Sequence, residues 1–220
     1  MPSKALKNFR ALWADACKTM WIEVAAIRHL ESQLRGNYAQ IDDKAVLTDW
    51  VYAPECKGRI DDTTKDFVLG RVIDLINSAV TPRVVLLSAA FESYFEEFFS
   101  QYLQARAKYY VAGARTAAGN KVWGDVMKQR GPSARIRELG VAANAGIKVL
   151  MSNLPVLEEV YVLRNSIAHD AGVVDAFTAA NVKSIAAVQG TQLRVTPHEL
   201  VSVLAPPCLS VAEELDKKLT

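Results

Sequence analysis

The sequence predicts an all-α protein, a helical bundle that opens with one long N-terminal helix, and three observations carry that expectation. Apolar residues recur three or four positions apart over long runs, the spacing of a helix face turned to a core. Helix punctuation stands at the ends of those runs: Gly36 and Asn37 after one, Thr81 and Pro82 before another. Half of the 220 residues are hydrophobic, ample for a packed core in one or at most two domains.

The elements follow in order. Residues 4–35 form the long helix, with Leu6, Phe9, Leu12, Trp13, Met20, Ile27, Leu30 and Leu34 at helical spacings. Residues 38–59 contain Pro54 and Gly58 and are expected to be a loop, with a short helix around 45–52. Asp61, Asp62, Thr63 and Thr64 start a helix that runs to about Ser78. Thr81 as N-cap and Pro82 at the first position open the next, which continues through Phe91, Phe95, Phe98 and Leu103 to about Tyr110. A short helix is expected near 122–129, another over 133–150, and a third over 154–171 that stops at Gly172. Residues 182–187 and 192–195 flank Gln189, Gly190 and Thr191 and read as a small β-hairpin near 182–195. Thr196 and Glu199 form a capping box for a short helix that Pro206 and Pro207 break, and residues 209–219 close the chain as a helix. The domain division expected from this pass is an N-terminal extension over 1–60 and a helical domain over 61–220.

Charge is more informative in its distribution than in its sum. Between 101 and 137, Arg106, Lys108, Arg115, Lys121, Lys128, Arg130, Arg135 and Arg137 face Asp125 alone, a local charge of +7. The chain carries +2, so the remainder must total −5, the signature of a basic face on a mildly acidic body. Tyr102, Tyr109, Tyr110 and Trp123 interleave with the basic residues, so this segment is a candidate RNA surface: guanidinium and ammonium groups on phosphates, rings on unpaired bases. The cysteines Cys17, Cys56 and Cys208 are far apart and odd in number, with no Cys-x-x-Cys pair. That usage predicts a reduced, cytoplasmic protein without a zinc site. No signal-peptide block and no membrane span are expected. A P-loop and a Gly-x-Ser-x-Gly elbow are both absent, which excludes the corresponding nucleotide and hydrolase chemistries.

The stretch from Arg164 through Asn165 and Ser166 to His169 is the strongest functional signal. On a helical wheel Leu157, Val160, Tyr161, Ile167 and Ala168 share one side, and Arg164 falls in the middle of that stripe. A guanidinium is almost never buried unpaired, so Arg164 is expected to meet a partner, a ligand or a lined cleft. His169 sits in the last turn, where the helix dipole favours imidazolium. Positions five apart diverge by about 140°, so one helix alone does not converge the two side chains. A phosphodiester held by Arg164 and attacked with His169 as acid or base is the functional alternative. A helix-terminal His169, with Arg164 ion-paired to a carboxylate such as Glu92, is the structural one.

Arginine, a polar residue and histidine in this order, at the end of a helix in an all-helical chain, resemble the HEPN superfamily (higher eukaryotes and prokaryotes nucleotide-binding). The continuation through Gly172 to Asp175 is similar to the branch associated with RiboL-PSP-type RNases, and residues 83–104 look like the helix that precedes the motif there. The resemblance covers roughly residues 80–220. It implies a metal-independent endoribonuclease without a cofactor, acting on RNA (tRNA or mRNA) as a homodimer whose two motifs line one cleft. Its products would carry 2′,3′-cyclic phosphate and 5′-hydroxyl ends. Arg164, His169 and Asn165 are then the catalytic candidates, with Glu92 and Ser166 as supporting groups. The resemblance further implies a toxin or anti-phage effector with an antitoxin or defence-system partner. One branch carries a tyrosine two residues after the histidine for modification by its antitoxin; here that place holds Ala171. Two other functions remain open: a non-catalytic module binding RNA, nucleotide or protein, and an accessory subunit docked through residues 4–35.

Overall fold

A computed structural model describes residues 1–46, 63–143 and 152–219. It is predominantly helical, as expected: α1 (Lys4–Arg35), α2 (Lys65–Gly70), α3 (Val72–Val80), α4 (Pro82–Gln104), α5 (Ala117–Met127), α6 (Pro132–Ala142), α7 (Leu154–His169), α8 (Ala176–Asn181) and α9 (Ala205–Asp216). One two-stranded antiparallel sheet joins β1 (Tyr110–Val111) to β2 (Ala114–Arg115). The chain divides into two compact units, residues 1–17 with 80–220 and residues 18–79.

The smaller unit contains the second half of α1 with α2 and most of α3. Leu34 and Val68 are buried together, with Leu30 and Leu69 packed beside them. Lys65 is buried, and its ammonium is satisfied by the carbonyls of Ile41 (2.8 Å) and Ala39 (3.3 Å) and by Asp43 (2.9 Å). A buried cation persists only with such partners. The Thr64 hydroxyl caps α2 through the Phe67 N–H. The expected single helix to Ser78 is two helices, because the chain leaves helical geometry at Arg71 (φ −116°, ψ 9°). Ala45 and Val46 are not helical, Val46 bridging Thr64 instead; the rest of the 45–52 expectation lies outside the described residues.

The larger unit is built on α4. Phe91, Phe95, Phe98 and Phe99 are fully buried, and Tyr94 and Tyr102 nearly so. Their rings touch in sequence along the helix at centroid distances of 5.8–6.2 Å. Phe9 of α1 joins this column against Phe91 and Tyr94 (5.9 and 5.7 Å), and the Ser3 N–H donates to Asp216 of α9 (2.9 Å). Those contacts place the first turns of α1 in this unit. The Tyr94 hydroxyl donates to the Ala212 carbonyl (2.6 Å), and burial holds its ionisation far above the usual tyrosine range. The helical stretch Val72–Gln104 contains an 18-residue window of mean hydropathy 1.4, long and apolar enough to cross a membrane, which the sequence expectation had excluded. Of that window 39% is buried within the fold.

Several expectations need correction. No hairpin forms at 182–195. The hairpin lies at 110–115, where Ala112 (φ 50°) and Gly113 (φ 84°) make the turn. Residues 190–193 instead pair with the segment after α7: Gly190 donates to the Val174 carbonyl, Val174 to Thr191, and Leu193 to Gly172. Aligning with a fixed helix end satisfies their backbone groups, which an isolated short hairpin would leave marginal. Thr81 keeps helical angles and forms no side-chain cap. Pro206 and Pro207 do not break a helix; they open α9 directly after a π-helical turn, Glu199–Leu204. The wider turn keeps their rings clear of the preceding carbonyls, and the first turn needs no N–H from them. The Thr196–Glu199 capping box is present in both directions. The helix expected at 133–150 is described as far as Ala142, with 144–151 outside the described residues, and α8 was not foreseen.

The close approach of the β1 side to α5 requires glycine at 119. A Cβ there would lie 2.2 Å from the Tyr109 carbonyl oxygen, whereas at Gly124 on the same helix a Cβ meets nothing. Gly119→Ala is therefore expected to lower stability by about 2–3 kcal/mol in urea unfolding. Gly124→Ala should leave it unchanged or raise it by about 0.5–1 kcal/mol.

Candidate functional site

Helix α7 packs against α4, α6 and α9, and this explains both what it buries and what it leaves open. Leu154, Leu157, Glu159, Val160, Val162, Leu163 and Ser166 are buried, which occupies most of the helix circumference. At 100° per residue, the remaining strip holds Glu158, Tyr161, Arg164, Asn165, Ala168 and His169. The stripe expected from the wheel is thus partly wrong, since Ala168 is exposed and Ile167 half-buried. Several flanking helices, α8 among them, rather than one apolar neighbour, decide which positions are covered.

Arg164 is half-buried, and its Nη1 donates to Asn165 Oδ1 at 2.8 Å. Among the described residues no carboxylate pairs with it. Glu92 on α4 is half-buried and forms no hydrogen bond or ion pair with Arg164 or His169. His169 is exposed and has no side-chain partner among the described residues. Asn165 lies between the two in angle, so the strip has Arg164 at one edge and His169 at the other. Ser166 is committed elsewhere. It is buried, donates to the Val173 carbonyl (3.1 Å), and its own carbonyl accepts from Asp170 and Gly172 (both 3.0 Å). Asp175 caps α8 through the Thr178 N–H (2.6 Å), and the Thr178 side chain together with that N–H lowers its pKa. Both residues shape the chain around the end of α7.

The basic segment does not form one free surface. Arg106 stacks on Tyr102 (3.6 Å to the ring centre) and donates to the carbonyls of Tyr102 and Lys218. Arg115 lies on Trp123 (3.8 Å), whose other neighbour is Phe99, stacked at 5.0 Å and 4°. Lys121 and Lys128 both pair with Asp125, holding its carboxyl down at about 2. Arg135 faces Glu96 at 3.7 Å and donates to the Gln129 carbonyl. Lys108, 5.4 Å from the centre of the Tyr109 ring, is exposed, as are Arg130 and Arg137. Tyr102 and Tyr109 are buried, so they are not available to stack on bases; the aromatic spacing reflects the core instead.

Two features near the strip escaped the sequence pass. Glu158 accepts a hydrogen bond from Ser133 at the start of α6, and burial raises its pKa against the opposing pull of Arg137. Buried Glu159 accepts from the N–H groups of Lys183 (3.0 Å) and Ser184 (2.7 Å), tying the 182–184 segment to α7. A long-range hydrogen bond of either kind leaves no periodic trace in the sequence. A groove of about 420 Å³ lies elsewhere, between the first turns of α1 and the middle of α4, lined by Phe9, Leu12, Ala90 and Tyr94 among others. Among the described residues no three His, Cys, Asp or Glu side chains gather as a metal site. Cys208 is buried, its thiol pushed up to about 12. Compared with protein-family models, curated proteins and solved structures, the chain has no match.

The raised pKa of Glu158 makes stability depend on pH in a definite direction. In the folded chain its carboxyl holds a proton at pH values where the unfolded chain has released it. Stability from this group is therefore greatest near or below the ordinary value of 4.5 and is lost as pH rises through the raised value. Glu158→Gln removes the titration. Its urea midpoint, relative to the wild type, should be higher at pH 7 than at pH 4.5; an equal difference at both pH values would contradict the assignment.

Proposed function

We propose that this protein is a metal-independent endoribonuclease of HEPN type, acting in the cytoplasm on tRNA or mRNA as a homodimer. The observation that carries this reading is Arg164: a half-buried guanidinium, oriented by Asn165 and without a carboxylate partner among the described residues. Such a group is prepared for an anion, and a phosphodiester matches its planar donor fork. In this reading His169 takes the proton of the ribose 2′-hydroxyl as the 2′-oxygen attacks phosphorus. The bond to the 5′-oxygen breaks, and that oxygen takes a proton from water as it leaves. The products are a 2′,3′-cyclic phosphate and a 5′-hydroxyl. Arg164 neutralises charge on the phosphoryl oxygens as it develops. Exposure of His169 and the 140° between it and Arg164 fit a composite site in which the same helix of a second copy completes the cleft. A role as toxin or anti-phage effector, held by an antitoxin or a defence-system partner, belongs to the same proposal.

The exposure of His169 without an orienting partner equally favours one other reading, a non-catalytic module that binds RNA through Arg164. The two part company in one experiment: incubation of total tRNA and a labelled single-stranded RNA with the protein in EDTA. Cleavage by the wild type to cyclic-phosphate ends is expected, with His169→Ala and Arg164→Ala each slower by about 100-fold or more. No cleavage by the folded wild type, together with weaker RNA binding by Arg164→Ala alone, would support the binding module instead.

A further inference from the structure

The open strip of α7 extends past Arg164 toward α6, and the residues there are arranged as a second binding position. Tyr161 is one turn before Arg164 and Asn165 on the same strip. The backbone of Gly131 lies over one face of its ring, so closely that a Cβ at 131 would lie 3.1 Å from ring carbons Cδ1 and Cε1 and 3.5 Å from Cγ. Gly131 also has φ 81°, so the α5–α6 turn is shaped for this contact. The ring is thus covered on one face by Gly131 and partly exposed elsewhere, and its hydroxyl has no partner among the described residues. Two exposed arginines stand on the segments next to it. Arg130 directly precedes Gly131 and has no partner among the described residues. Arg137 lies one turn after Ser133, the residue that bonds Glu158 on the α7 strip. Most other arginines and lysines of the basic segment are consumed by ring stacking, backbone carbonyls or acidic partners.

We propose that Tyr161, Arg130 and Arg137 form a subsite for the nucleotide adjoining the phosphate at Arg164. The base stacks on Tyr161 and the flanking phosphates sit on the two arginines. For its substrate class, single-stranded RNA, the inference rests on the ribonuclease reading. Stacking on a fixed ring tolerates any base, so the subsite supplies affinity and register along the strand rather than base choice. The Glu158 carboxyl accepts from the Ser133 hydroxyl and also feels the charge of Arg137, so a phosphate at Arg137 meets Glu158 as a competitor.

The test is equilibrium binding of a fluorescent single-stranded RNA of about 12 nucleotides, a length within one typical site. Each sugar carries a 2′-O-methyl group, which blocks cleavage by 2′-oxygen attack. Tyr161→Leu should weaken binding by about tenfold while Tyr161→Phe keeps wild-type affinity, since only the ring stacks. Arg130→Ala combined with Arg137→Ala should weaken binding and reduce the salt slope by about 1.4, near 0.7 per lost phosphate contact on a single strand. Lys121→Ala with Lys128→Ala, which removes the same formal charge from an ion-paired site, should leave that slope unchanged. The inference is overturned if the folded wild type does not bind, if Tyr161→Leu binds normally, or if the two double variants behave alike. Cleavage by the wild type and by His169→Ala is scored separately. Loss of cleavage at His169 with normal binding by the subsite variants would sink the subsite and leave the ribonuclease. Subsite-dependent binding without cleavage would do the reverse.

Discussion

The column of rings on α4 is the contact on which the larger unit depends. Phe91, Tyr94, Phe95, Phe98, Phe99 and Tyr102 lie three or four residues apart, so their rings meet along the helix as well as across to its neighbours. Each such pair adds about 0.5–1.5 kcal/mol beyond the area it buries. Both ends of the chain are brought to this column, Phe9 by ring contact and α9 through the Tyr94 hydroxyl. At its C-terminal end the column is closed by Arg106 over Tyr102 and by the layered Phe99, Trp123 and Arg115. Of the aromatic residues that read as an RNA-stacking series, Tyr102 and Tyr109 are buried and Trp123 is stacked between Phe99 and Arg115.

A helix packed on three sides exposes little of itself, and what α7 exposes is polar. Tyr161, Arg164, Asn165 and His169 occupy the strip that α4, α6 and α9 leave uncovered. The end of the helix is held by Ser166, Gly172 and the 190–193 segment, so His169 projects from a turn whose backbone is largely fixed. The arrangement separates two tasks. Ser166, Glu159 and Asp175 use their polar groups to fix the chain, and Arg164 and His169 are left free to meet something else.

The candidate residues were legible because their chemistry violates the local pattern. Arg164 is a guanidinium within a stripe that reads as apolar on the helical wheel, and a histidine in the last turn of the same helix is visible without any tertiary information. The long helix, the Thr64 start, the Pro82 start and the Thr196–Glu199 capping box were legible for a similar reason, since each depends on residues within about four positions of one another. The misplaced hairpin and the supposed break at Pro206 failed where the outcome depended on a distant surface. The 190–193 segment had a choice of partners, and the π-helical turn before Pro206 gave the prolines an acceptable place.

By itself the sequence determined that the chain is helical, where most helices begin, and that Arg164 and His169 lie near one helix end, because these follow from short-range periodicity, capping and spacing. Tertiary structure alone decided which basic residues remain free, that Glu92 stands apart from Arg164, and that Tyr161 is clamped beside it. Each of those outcomes turns on what a side chain meets across the fold: Asp125 for Lys121 and Lys128, Trp123 for Arg115, and the backbone of Gly131 for Tyr161. Charge counted along the chain cannot distinguish an arginine that closes a core from one that faces water, because the two differ only in neighbours brought from elsewhere.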